Sequence, residues 1–90
     1  QVQGDSMVNP SGAPSMPAGT FIIVEPSIEA EPGNFVVACI GKGSGALFKR
    51  YVKDGPHQSL QSLNPAFQMI ELDKNATILG VAIRAEIDLL

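Results

Sequence analysis

The sequence predicts a small all-β domain, built as a barrel or as strongly bent antiparallel sheets. Roughly six short apolar runs, several rich in β-branched residues, stand at intervals along the chain. The segments between them contain glycine and proline, which are typical of turns and loops. No stretch shows the 3.6-residue apolar period of an amphipathic helix. The 90 residues therefore form one domain, residues 1–90, with short strands as its elements.

The first half of the chain holds three predicted strands. Phe21–Val24 has no polar position, so we expect it to be buried on both faces. Phe35–Ile40 and Ala46–Val52 follow, and the glycine-rich segment Gly41–Gly45 joins them as a hairpin loop. Because alternate residues of a strand share a face, Lys49 lies on the same side as its apolar neighbours two positions away.

The termini and the second half of the chain give weaker patterns. Gln1–Gln3 is typical of the end of a strand, and Gln58–Leu63 alternates like a half-exposed edge strand. A short apolar segment runs from Phe67 to Leu72. Thr77–Ile87 is the last predicted strand, and Gly80 inside it indicates a bulge or a close approach of another backbone segment.

Composition excludes several function classes for this chain. The net charge of −3 and the pI of 4.8 argue against direct nucleic-acid binding, which needs clustered lysine and arginine. No apolar run is long enough to span a membrane. Cys39 has no partner for an internal disulfide and is interpreted as a small buried apolar residue. His57 is the single histidine, so we predict no metal site and no cofactor.

Two separate stretches together indicate a serine–lysine catalytic pair. Gly4-Asp5-Ser6-Met7 is typical of a tight turn that presents a serine, and Lys49 lies in an apolar strand. A serine hydroxyl needs a base to take its proton, and burial lowers the pKa of a lysine so that it can serve. We therefore assign Ser6 as the nucleophile and Lys49 as the general base. The alternatives are an ordinary serine turn, a solvated lysine, and His57 as the base.

The order of these pieces resembles the C-terminal domain of the LexA-like serine–lysine peptidases, a family that includes the SOS repressor, the UmuD polymerase subunit and λ-type phage repressors. The resemblance covers nearly the whole chain and is closest to the repressors of temperate phages. Its motifs are the Gly-Asp-Ser-Met turn, the Phe-Lys-Arg-Tyr strand around Lys49, Glu31-Pro32-Gly33-Asn34-Phe35, Leu63-Asn64-Pro65 and Leu79-Gly80-Val81.

The resemblance implies a LexA- or signal-peptidase-like fold, a dimerising repressor domain and a latent activity that cleaves the protein's own linker at an Ala-Gly or Cys-Gly bond. Ala18-Gly19 is not that bond, because it follows Ser6 and falls where the family has a turn. We expect the linker and the N-terminal DNA-binding domain to be missing, so that this piece cannot process itself. DNA binding would then depend on the missing domain.

Four functions remain open on the sequence alone. The first is a phage-type repressor domain that dimerises and self-cleaves on a RecA filament during the SOS response. The second is a catalytically silent dimerisation module switched by a protein antirepressor. A signal-peptidase relative and a UmuD-like polymerase accessory are less favoured. The first two place the protein in the bacterial cytoplasm, with itself as a partner through residues 83–90 or 58–62.

Overall fold

The computed structural model describes residues 1–12, 14–41 and 45–87, and these residues contain six strands and no helix. The same described ranges therefore offer no helix long and apolar enough to cross a membrane. The strands are β1 (Phe21–Glu25), β2 (Phe35–Ile40), β3 (Ala46–Asp54), β4 (His57–Gln61), β5 (Ile70–Glu71) and β6 (Ala76–Glu86). The predicted all-β class is confirmed.

The six strands form one antiparallel sheet in the order β1-β6-β2-β3-β4-β5. The last strand thus lies between the first two and pairs with both. Within the described ranges no pairing joins β1 to β5, so the strands lie in one open sheet rather than in several. The predicted return strand across the 41–45 loop is present, although residues 42–44 lie outside the described part of the chain.

The core lies on one face of the central strands. Val36 and Ala38 of β2 are fully buried, and Val36 lies opposite Val81 on one side and Lys49 on the other. The remaining buried members of this cluster are Tyr51 and Leu60, which also lie opposite each other. A core of a few side chains is what a chain of this length can bury. Lys49 therefore stands within the apolar face, as its strand position predicts.

Strand β6 bends at two points where the register shifts. Its pairing with β2 skips Leu79, and its pairing with β1 skips Ile83. Each extra residue is a bulge, which increases the local twist of a sheet. Between the two bulges a Cβ on Gly80 would lie 2.6 Å from Val24 Cγ1 and 3.0 Å from the Cα of Pro26. The structure therefore confirms both the bulge and the close backbone approach that Gly80 indicates.

Three strand predictions are wrong. The strand predicted at Gln58–Leu63 as an edge strand is β4, which pairs with both β3 and β5 and so is not at the edge of the sheet. The sequence predicts burial of β1 on both faces, yet Phe21 and Ile23 are 46% and 41% exposed, because β1 is an edge strand with only β6 beside it. Gln1–Gln3 is not a strand of the sheet. Val2 instead pairs locally: its amide donates to the Thr20 carbonyl at 2.8 Å, and its own carbonyl accepts from the Gly19 amide at 2.9 Å.

Candidate active site

Backbone hydrogen bonds and the buried Met7 side chain hold the turn that carries Ser6. Gly4 has a φ of +75°, which glycine adopts more easily than other residues, and the Val8 amide donates to the Asp5 carbonyl at 3.1 Å. Met7 is only 1% exposed, and its carbonyl accepts a hydrogen bond from the Met16 amide at 2.7 Å. The buried Met7 anchors the turn, while the neighbouring Ser6 stays half-buried and can be reached from outside.

Asn64 fixes the same turn to the chain that follows β4. Its backbone amide donates to the Ser6 carbonyl at 2.8 Å, and its side-chain Nδ2 donates to the Asp5 carbonyl at 3.2 Å. Its Oδ1 accepts from the Ala66 amide at 3.0 Å, which holds the side chain in place. Asn64 thus joins two segments that are 58 residues or more apart in sequence. The position of Ser6 depends on this link.

Lys49 reaches Ser6 from the middle of β3. The lysine is 7% exposed, and its Nζ lies 2.6 Å from the Oγ of Ser6. Burial lowers the pKa of Lys49 below its ordinary value of 10.5, because an ammonium loses its hydration there. The structure therefore brings together the two side chains selected from sequence, at a distance where a proton can pass directly between them.

A second hydroxyl contacts the same amine. The Oγ of Ser62 lies 2.9 Å from Lys49 Nζ, and Ser62 is also 7% exposed. The centroid of the Phe67 ring lies 5.9 Å from Lys49 Nζ. Within the described ranges, Lys49 forms no ion pair. The amine is thus surrounded by hydroxyls, an aromatic ring and aliphatic groups, without a carboxylate to hold its charge.

A polar cleft of about 350 Å³ opens beside the pair. The chain's first three residues form one wall, and residues 45–49 at the start of β3 form another, with Ser6 and Met7 at the cleft as well. A cleft of this size can admit a few residues of an extended peptide beside a nucleophile. The arrangement fits acyl transfer at a peptide bond.

Comparison with known families decides the classification. The Peptidase S24-like family profile matches residues 1–83, which is more than nine-tenths of the chain. The chain belongs to the Peptidase S24-like family. This confirms the resemblance that the motifs around Ser6 and Lys49 indicate.

Several relatives of this Peptidase S24-like chain are regulators from mobile genetic elements. It is 43% identical over 88 residues to the "HTH-type transcriptional regulator for conjugative element R391" of Providencia rettgeri, covering 98% of this chain and 41% of the relative. The same figures hold for the "HTH-type transcriptional regulator for conjugative element SXT" of Vibrio cholerae. It is also 42% identical over 86 residues to "Repressor protein C2" of Salmonella phage P22, covering 96% and 39%. The chain spans about two-fifths of these relatives' length.

The other candidate groups lie elsewhere in this Peptidase S24-like fold. His57, the competing base, places its Nδ1 3.3 Å from Glu71 Oε1, and both side chains are about 70% exposed. Cys39 is half-buried and free. In the described ranges no group of three histidine, cysteine or acidic side chains could hold a metal ion. The catalytic roles of Ser6 and Lys49 stay a prediction, now with their geometry known.

Sequence reasoning did not select Ser62 or Asn64 as site residues. One signal was present for Ser62: the alternation from Leu60 places it on the apolar side of the strand, where a hydroxyl needs a partner. Asn64 belongs to the Leu63-Asn64-Pro65 motif, but its role depends on contact with a turn far away in sequence. No local pattern predicts such a contact.

Proposed function

We propose that this chain is the assembly domain of a phage-type transcriptional repressor and carries a latent activity that cleaves the repressor's own polypeptide. The observation that supports the activity is the 2.6 Å contact between Ser6 Oγ and a buried Lys49 Nζ. The observation that supports the repressor is the similarity to regulators of conjugative elements and to the repressor of a phage.

In this proposal Lys49 acts as the general base in its neutral form. Its lone pair takes the Ser6 hydroxyl proton while Ser6 Oγ attacks the carbonyl carbon of the scissile peptide bond. The resulting ammonium gives its proton to the leaving nitrogen as the C–N bond breaks, which leaves an ester on Ser6. A water molecule then attacks the ester carbonyl while Lys49 again accepts a proton. The acyl C–O bond to Ser6 breaks, and Lys49 returns the proton to Ser6 Oγ, which restores the starting state. Burial favours this cycle, because it makes the neutral amine available at lower pH.

The substrate in this proposal is a linker of the same polypeptide that lies outside this chain. The internal Ala18-Gly19 bond is poorly suited, because it belongs to the turn beside Val2. The Gly19 amide donates to the Val2 carbonyl, and Thr20 donates its own amide to Pro17 and is 3% exposed. The cleft beside Ser6 is the place where an extended linker would bind.

DNA binding belongs, in this proposal, to another part of the full-length protein. This chain has a net charge of −3, and its six lysines and arginines are too few for a phosphate-binding surface. Two relatives that are about 2.4 times longer are named HTH-type regulators. The chain would supply the contact that brings two DNA-binding parts together.

The assembly surface proposed for the dimer lies on β1 and β6. Of the large apolar side chains that are exposed, five lie on or directly after these two neighbouring strands: Phe21, Ile23, Leu79, Ile83 and Ile87. Exposed apolar groups gathered in this way are typical of an interaction surface.

The sequence suggests two segments for self-association, 83–90 and 58–62, and they differ in exposure. Residues 83–87 fit the assembly surface, because Ile83 and Ile87 are exposed, while 88–90 lie outside the described part of the chain. The strand at 58–62 fits less well, because Leu60 and Ser62 are buried.

Incubating the full-length protein at alkaline pH tests the proposed activity. The parent, Ser6→Ala and Lys49→Ala proteins are followed on a gel with and without an activated RecA filament. We expect two fragments from the parent and none from either variant, because high pH increases the neutral amine. An intact parent under all conditions contradicts self-cleavage and favours the silent module that an antirepressor protein would switch.

A further inference from the structure

Ser62 stands directly across from Lys49 although it lies just outside β4. The β3–β4 register pairs Tyr51 with Leu60 and Arg50 with Gln61, so the next step sets Ser62 opposite Lys49. Side chains of directly opposite residues point to the same face of a sheet. Ser62 therefore projects into the buried face, where its Oγ meets the amine at 2.9 Å.

The hydroxyls of Ser6 and Ser62 together restrict the orientation of the Lys49 amine. A neutral lysine amine has two N–H groups and one lone pair. With one N–H donated to Ser62 Oγ, the remaining N–H and the lone pair are confined to fewer orientations. Ser6 Oγ, at 2.6 Å, then lies where the lone pair can accept its proton. Without Ser62, the amine could rotate about its last bond and turn the lone pair away from Ser6.

We propose that Ser62 is a positioning residue that orients the Lys49 amine toward Ser6 and accepts a hydrogen bond from the ammonium formed when Ser6 loses its proton. The inference rests on the proposed self-cleavage, which it deepens by adding a third side chain. The Ser62 hydroxyl touches neither the peptide bond nor Ser6 in this role. It acts only through Lys49.

The test compares Ser62→Ala and Ser62→Thr with the parent in the full-length protein. We expect Ser62→Ala to lower the first-order self-cleavage rate at its alkaline plateau by about tenfold, the scale of one hydrogen bond to a charged group. Ser62→Thr keeps a hydroxyl and should restore most of the rate. Ser59→Ala is the matched control, because Ser59 lies on β4 facing the other side and pairs with Val52 and Glu71.

The pH profile separates positioning from a general loss of structure. Removing the Ser62 acceptor leaves the buried ammonium with one hydroxyl partner fewer, so the pKa of Lys49 should fall further and the rate midpoint should move to lower pH. The groups that contact or face Lys49 are the Ser6 and Ser62 hydroxyls, the Phe67 ring and Val36 on β2. Tyr51 is the buried titratable side chain on the same face of β3, and it is unchanged in Ser62→Ala, so it is common to both profiles. A variant that is merely less stable would lose rate without moving the midpoint.

A second readout keeps the inference testable if the parent does not cleave itself. The Lys49 pKa is measured by ¹³C NMR of labelled lysine in the full-length parent and in Ser62→Ala. A lower pKa in the variant supports the contact, even where an intact parent contradicts the proposed activity. An unchanged Lys49 pKa, or a Ser62→Ala protein that cleaves with the parent's rate and midpoint, overturns the positioning role.

Discussion

At the scale of single residues, the cost of burying Lys49 should be visible in the pH dependence of stability. The pKa of Lys49 is lower in the folded chain than its ordinary value of 10.5, so the unfolded chain binds more protons between these two values. The contribution of Lys49 to the free energy of unfolding is therefore least favourable below the folded pKa. It improves as the pH rises toward 10.5.

Lys49→Met should remove this pH dependence. We expect the free energy of unfolding of the parent, relative to Lys49→Met, to increase as the pH is raised through the folded pKa toward 10.5. Urea unfolding at a series of alkaline pH values measures the difference. Lys53→Met on the same strand is the control, because Lys53 is exposed. If the difference in free energy of unfolding between the parent and Lys49→Met stayed constant with pH, the Lys49 amine would not be desolvated in the folded protein.

The sequence predicts Ser6 and Lys49 as the site residues, but it does not predict the residues that hold them in position. Ser6 and Lys49 stand out because each has a local context that is unusual for its chemistry: a serine on a glycine turn and a lysine in an apolar strand. Ser62 and Asn64 are ordinary polar residues in their local context. Their importance comes from contacts with Lys49 and with the Asp5–Ser6 backbone, which only the folded sheet brings close.

At the scale of elements, the close packing of the end of β1 against β6 depends on Gly80 having no side chain. Gly80→Ala would place a Cβ 2.6 Å from Val24 Cγ1, 3.0 Å from Pro26 Cα and 3.1 Å from the Glu25 carbonyl oxygen. Two of these are backbone atoms that cannot rotate away. We expect a loss of about 1–3 kcal/mol in the free energy of unfolding, as for other overpacked sites.

Thermal and urea unfolding measure the Gly80→Ala effect. Gly45→Ala is the matched control, because a Cβ there meets nothing within 4 Å, and we expect a change within about 0.5 kcal/mol. Equal stability of Gly80→Ala and the parent would mean that β1 does not pack on β6 as closely as these distances require.

The sequence predicts the bounds of a strand better than its position in the sheet, because bounds follow from local residues and position follows from pairing with distant strands. The predicted strand Phe35–Ile40 has its observed bounds, because an apolar run between turn residues suits a central strand. Phe21–Val24 has the same local character, yet it is an edge strand with one exposed face. An apolar run does not indicate its place in the sheet, and the β1–β6 pairing joins residues about 60 positions apart. Local patterns carry no information on that pairing.

At the scale of the whole molecule, the exposed apolar groups on β1 and β6 should mediate self-association. Ile83 is 58% exposed at a bulge of β6, and a charge placed there would be buried without a partner in a dimer. We expect Ile83→Glu to raise the dimer dissociation constant by at least about tenfold, measured by sedimentation equilibrium.

Met69→Glu is the control for the Ile83 substitution. Met69 is 56% exposed, but it precedes β5 at the opposite edge of the sheet. The variant should associate like the parent. If Met69→Glu dissociates the protein and Ile83→Glu does not, the contact lies at the β5 edge instead.

The most direct test of the central claim is the reactivity of Ser6 itself, which needs no linker. The chain is treated with diisopropyl fluorophosphate over a range of alkaline pH, and the modified residue is located by mass spectrometry. If buried Lys49 activates Ser6, the parent is labelled at Ser6 at a rate that rises with pH, and Lys49→Ala and Ser6→Ala are not labelled there. Labelling of Ser6 in Lys49→Ala at the parent's rate would contradict the serine–lysine pair as the source of the activity.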